Sequence, residues 1–230
     1  YGTIKEGLYY PESLYNHFLG LDYWHQQSQT LYILFPLLAS VPYAASYCTD
    51  KKSGYLKNIL TRENKAVYYR SKFISVFFSG FITIFAILTL DLIIAMMFYP
   101  MLHPEPITAL FPATHGNSMF KELFIDFPMA YTLLYILIDS VFFGLIALIS
   151  MVVGMITKYT FVSIVSGTII YYFASFIISS LHLYSHNPAV YLVPYQPYEE
   201  ISAGIIALHS AVILIVCLFF TIKEADKDVL

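Results

Sequence analysis

Runs of about twenty apolar residues, each carrying at most one charge, recur along this chain, and a helix of that length spans the roughly 30 Å hydrocarbon core of a bilayer. Five occur: Ser28 to Cys48, Phe73 to Tyr99, Ala130 to Thr157, Phe161 to Leu181 and Ile201 to Ile222. The first is uncharged but holds Pro36 and Pro42, which predicts a kinked span whose freed carbonyls find partners on neighbours. The second and third are each interrupted by one aspartate, and the fifth contains His209. Only Lys158, Tyr159 and Thr160 separate the third run from the fourth, so a tight helical hairpin is expected there. Composition agrees. Asp, Glu, Lys and Arg make up 12 per cent of 230 residues, against about 25 per cent in a soluble domain. A disordered chain, a nucleic-acid binder with a basic face and most soluble enzymes are excluded. The expected fold is all-α, a polytopic bundle of membrane helices.

Orientation follows from the basic residues. Lys51, Lys52, Lys57, Arg62, Lys65, Arg70 and Lys72 fall in the connection 49–72, Lys158 in the short turn, and Lys223 and Lys227 in the tail 223–230. Ten of the twelve Lys and Arg thus lie in alternate connections, leaving Lys5 and Lys121 for the other side. The positive-inside rule makes the richer side cytoplasmic. Segments 1–27, 100–128 and 182–200 are then extracellular, the C-terminus is cytoplasmic, and the setting is a bacterial cytoplasmic membrane. Five spans would put Tyr1 outside, so a sixth is expected upstream of it. Cys48 and Cys217, far apart and without metal-ligand spacing, read as small apolar fillers.

The connection 49–72 carries the most information. Asp50 and Ser53 suit a helix start, and Tyr55, Leu56, Ile59 and Leu60 form one apolar face flanked by Lys51, Lys52, Lys57 and Arg62. Such a short amphipathic helix either lies on anionic lipid or docks into a partner.

Asp50, then Ser53-Gly54, then Tyr55-Leu56-Lys57-Asn58-Ile59-Leu60-Thr61-Arg62, then Tyr69 and Lys72 ahead of an apolar span resemble the loop after the second span in permease subunits of ABC-2 type transporters. Glu63-Asn64-Lys65 stand where that family often has Pro-Ser/Thr-Arg. The resemblance implies a transmembrane subunit of an exporter whose loop helix couples it to a separate ABC ATPase subunit. Gly54, Tyr55, Leu56, Ile59 and Leu60 would contact that partner, with Gly54 permitting close approach. ATP and Mg would bind the partner, and no cofactor or metal would bind this chain; consistently, no glycine opens a GxxxxGK[ST] phosphate loop. The resemblance also implies a dimer with a second permease copy or a paralogue, and a peptide, toxin or other amphipathic cargo. The competing reading is a lipid-handling or regulatory membrane protein whose basic loop binds anionic lipid; neither reading involves nucleic acid.

Asp91, Asp139 and His209 are the strongly ionisable residues inside the predicted spans, where a charge costs on the order of 3 kcal/mol or more. At 1.5 Å rise per residue all three lie about 10 to 12 Å below the outer ends of their spans, so a shared polar cluster is geometrically open to them. Asp139 also begins a stripe with Phe143, Ala147, Ser150 and Gly154 on one helix face, whose small members predict a helix-packing seam. Glu199-Glu200 lack the intramembrane His pair of a metalloprotease, and no GxSxG elbow is present. His103, His115, His182 and His186 read as loop histidines rather than a metal site.

Overall fold

The computed structural model describes residues 13–21, 26–104, 118–194, 196 and 201–226. Among them every regular element is helical: α1 (Leu14–His17), α2 (Gln26–Ser40), α3 (Ser46–Lys52), α4 (Tyr55–Leu60), α5 (Lys65–Phe98), α6 (Lys121–Asp126), α7 (Pro128–Thr157), α8 (Thr160–Ser180), a 3₁₀ turn (Tyr184–His186), α9 (Pro188–Tyr191) and α10 (Ala203–Ala225). Four of these, α5, α7, α8 and α10, are long and apolar enough to cross a bilayer. The chain is a multi-pass helical membrane protein.

The first apolar run is not one helix. α2 has 15 residues, about 22 Å at 1.5 Å per residue, and residues 41–45 form turns before α3 begins. Pro42 accounts for the break, because its ring has no N–H and crowds the carbonyl four residues back. Pro36, by contrast, stays inside α2. Its missing N–H frees Tyr32 O, and the Tyr172 hydroxyl of α8 sits at that gap, 3.5 Å from Tyr32 O and donating to the adjacent Ile33 O at 2.9 Å. At the break itself Ser163 of α8 donates to Ala44 O at 3.0 Å. A proline-broken helix survives at membrane depth only with such partners.

α5 is longer than its predicted span. Asn64 caps it, its side chain accepting from Ala66 N at 3.0 Å, so the last residues of the loop 49–72 are the first turns of a 34-residue helix. The α7–α8 hairpin is as tight as three residues allow: Lys158 turns the chain at φ 65° and α8 starts at Thr160.

α7 is the axis of the bundle. In its most apolar stretch 72 per cent of residues are buried, against 22, 22 and 17 per cent in α5, α8 and α10. It packs on α5, α8, α2 and α10, and small residues make the approach possible. A Cβ on Gly80 of α5 would sit 2.9 Å from that of Ala147. One on Gly167 of α8 would collide with the Ser150 hydroxyl, and one on Gly154 with that of Ser163. Ala147, Ser150 and Gly154 therefore lie in a buried seam between α7 and its neighbours. Ser150 Oγ pairs with Ser40 Oγ of α2 at 2.8 Å and accepts from Gly167 N at 3.0 Å.

Lys52 of α3 donates to Thr160 at the start of α8 at 2.9 Å, and Arg70 of α5 lines one groove with Asp226 at the end of α10. α3, α4, the start of α5, the α7–α8 turn and the end of α10 thus share one end of the bundle, here the basic end. Lys5 and Lys227 lie outside the described residues.

Candidate functional site

At the basic end, α4 hangs between α3 and α5. Gly54 starts it at φ +77°, with nothing within 4 Å of where a Cβ would be. The glycine suits this left-handed backbone, which residues with a Cβ rarely adopt. Asp50 does not start the loop helix either; it lies in α3. There its carboxylate meets Lys72 Nζ of α5 at 2.6 Å and accepts from the Tyr68 hydroxyl at 2.6 Å. The Lys72 ammonium also stands 4.8 Å from the centre of the Tyr43 ring and 5.6 Å from that of Tyr68.

Of the residues expected on the partner face, Leu56 is buried in the chain's own core, and Ile59 and Leu60 pack against that core. The hydrophobic effect has already used this side of α4. Tyr55 is half exposed and, with Lys57, Asn58, Thr61 and Arg62, forms the outward face. The free surface is therefore one aromatic ring among basic and amide groups, rather than an apolar quartet.

The far end holds the three intramembrane ionisable groups, and they do not form one cluster. Asp91 Oδ2 accepts from Leu19 N at 2.9 Å. Asp139, buried, faces the Tyr32 hydroxyl through Oδ2 at 3.1 Å, while its Oδ1 has no hydrogen-bond partner among the described residues. The same hydroxyl lies 3.0 Å from Gly20 O. His209 stands apart, with Nδ1 3.2 Å from the Tyr191 hydroxyl and its ring 5.6 Å from that of His186.

Asp91 and Asp139 meet indirectly, through the consecutive residues Leu19 and Gly20. Residues 13–21 belong to the segment 1–27 expected outside, and Leu14, Tyr15, Phe18 and Leu21 are in the core. Their backbone needs partners within the bundle. Asp91 takes one N–H, Tyr32 one C=O, and Pro100 O accepts from Leu14 N at 3.0 Å. His17 stacks on Tyr99 with centroids 3.9 Å apart.

Gln196 was not singled out from the sequence. Buried, it accepts from Met119 N at 2.9 Å, and its amide nitrogen lies 3.2 Å from the Tyr135 hydroxyl and 3.1 Å from Tyr191 O. A lone glutamine among prolines and tyrosines carries no periodic signal, so only the fold reveals this hub. His115, Glu199 and Glu200 lie outside the described residues, and among those described no group of three His, Cys, Asp or Glu could hold a metal. Comparison with family models, with curated proteins and with solved structures finds no match to this chain.

Proposed function

We propose that the chain is the transmembrane permease subunit of an ATP-driven exporter of the ABC-2 type, set in a bacterial cytoplasmic membrane with its basic end and C-terminus in the cytoplasm. The observation that supports this most is the construction around α4. A short helix begins at a left-handed glycine, is pinned inward by Leu56 and presents Tyr55 and Arg62 outward. Its two flanking helices are bolted together by Asp50 and Lys72. Such a helix is a stiff handle: a push on its outer face is delivered to α3 and α5 together.

The handle would seat in a separate ATPase subunit, which holds the ATP and Mg. Transport would need a second permease, the same chain or a paralogue, because the axis of this bundle is taken by α7, 72 per cent buried in its most apolar stretch. In this reading the broken α2–α3 run is a fifth crossing. The cargo class, a peptide, toxin or other amphipathic compound, follows from the resemblance.

The test is co-purification with a co-expressed phosphate-loop ATPase. Tyr55→Asp together with Arg62→Glu changes exposed groups only, so membrane insertion and thermal unfolding should match the parent while ATPase binding is lost. Undiminished binding by this double variant overturns the assignment of α4.

A further inference from the structure

Away from α4, at the same basic end, α5 and α10 diverge and leave a cavity of about 510 Å³ open to the side of the bundle. Phe73 and Ile74 of α5 and Leu218 and Ile222 of α10 form its walls, and Arg70 and Asp226 stand among its lining residues. Phe73 and Ile74 also line a second groove of about 330 Å³ that continues along α10 as far as Ser210. From Asp226 to Ser210 the helix rises about 24 Å, more than the roughly 15 Å of hydrocarbon in one leaflet. The trough is long enough for an acyl chain and has its charges at one end only.

Those charges are of opposite sign and do not neutralise each other. Among the described residues neither Arg70 nor Asp226 has a salt-bridge partner. Arg70 lies in the second turn of α5, and Asp226 is the C-cap of α10, where free carbonyls add partial negative charge beside its carboxylate. One side of the mouth therefore favours a phosphate, which a guanidinium grips through paired N–H donors. The other favours an ammonium with hydrogens to give. A purely anionic headgroup would satisfy Arg70 and oppose Asp226.

We propose that the α5–α10 groove is a binding site for a zwitterionic phospholipid of the phosphoethanolamine class, its phosphate on Arg70, its primary ammonium on Asp226 and one acyl chain along α10. This goes beyond the exporter reading and does not depend on it.

The experiment uses the full chain in mild detergent, incubated with equal amounts of dioleoyl phosphatidylethanolamine, phosphatidylglycerol and phosphatidylcholine, with retained lipid quantified by native mass spectrometry. Phosphatidylethanolamine should be retained about fivefold over the other two, the factor expected of one charge-assisted hydrogen bond near a surface. Asp226→Asn should erase that preference, and Arg70→Gln should lower retention of all three; both residues are exposed, so neither change threatens the fold. Equal retention of the three lipids, a preference for phosphatidylglycerol, or unchanged selectivity in Asp226→Asn overturns the proposal. So does ready disulfide cross-linking between two copies through Ile222→Cys in the bilayer, which would put a second chain in the groove.

Discussion

Lys72 Nζ lies 2.6 Å from Asp50 Oδ2, a charged link between α3 and α5 at the basic end beside the contact of Tyr47 with Tyr69. The lysine side chain is 7 per cent exposed and the aspartate 19 per cent. Its ammonium is otherwise surrounded by the Tyr43 and Tyr68 rings. Two tyrosines and one carboxylate thus take the place of water around a cation sunk into the bundle.

Removing the carboxylate leaves that cation without its counter-charge. Asp50→Ala should lower stability by about 3 kcal/mol, the lower end for breaking a buried pair because the aspartate keeps some solvent. Denaturant unfolding in detergent micelles measures it. Adding Lys72→Met to Asp50→Ala should recover most of the loss, and failure to recover would mean that Asp50 acts through Tyr68 instead.

The seam around α7 discriminates sharply between glycines. Gly167→Ala drives a methyl into the Ser150 hydroxyl and against Ile146 O, 2.9 Å away, and should cost about 1 to 3 kcal/mol by overpacking. Gly204→Ala meets nothing closer than Ser202 Oγ at 3.4 Å, in the first turn of a helix, and should be neutral or slightly stabilising. Thermal unfolding of the two variants, side by side, checks the contrast.

Segment 13–21 depends on Asp91. Asp91→Ala strands the Leu19 N–H and should release the segment by about 1 to 2 kcal/mol, seen as roughly tenfold faster hydrogen exchange at Leu19 and its neighbours with little change in α7. Asp91→Asn retains an acceptor and should exchange at close to the parent rate.

On α4 the two neighbours Tyr55 and Leu56 should separate cleanly. Leu56→Ala opens a hole under the helix and costs about 2 to 4 kcal/mol, whereas Tyr55→Ala, half exposed, should leave unfolding unchanged. Circular dichroism melts decide this without any partner present.

Much of this architecture was readable from residue order. Hydropathy alone marks α5, α7, α8 and α10, because the bilayer imposes a length that few other settings require. The spacing of Ala147, Ser150 and Gly154 marks the close-packed face of α7. The hidden parts are those in which one partner is backbone. The sequence suggested one level for Asp91, Asp139 and His209; what relates the two aspartates is the N–H of Leu19 and the C=O of Gly20, reached in one case through Tyr32. No side-chain pattern advertises a main-chain partner. Likewise the apolar face of α4 was visible, but an apolar face does not say whether its own chain or another will cover it; Leu56 is covered by its own.

The unequal burial of the long helices also shapes how this protein can vary. A residue on α5, α8 or α10 has roughly one chance in five of being enclosed, so tolerance to substitution along those helices should rise and fall with the helical turn. α7 differs: it keeps one exposed stripe, Leu133, Leu137 and Val141, in its first half, but from Phe142 to Met155 none of its residues is exposed. A saturation scan should trace a nearly flat, intolerant profile along Phe142 to Met155, making that stretch the slowest-changing part of the chain as it diverges.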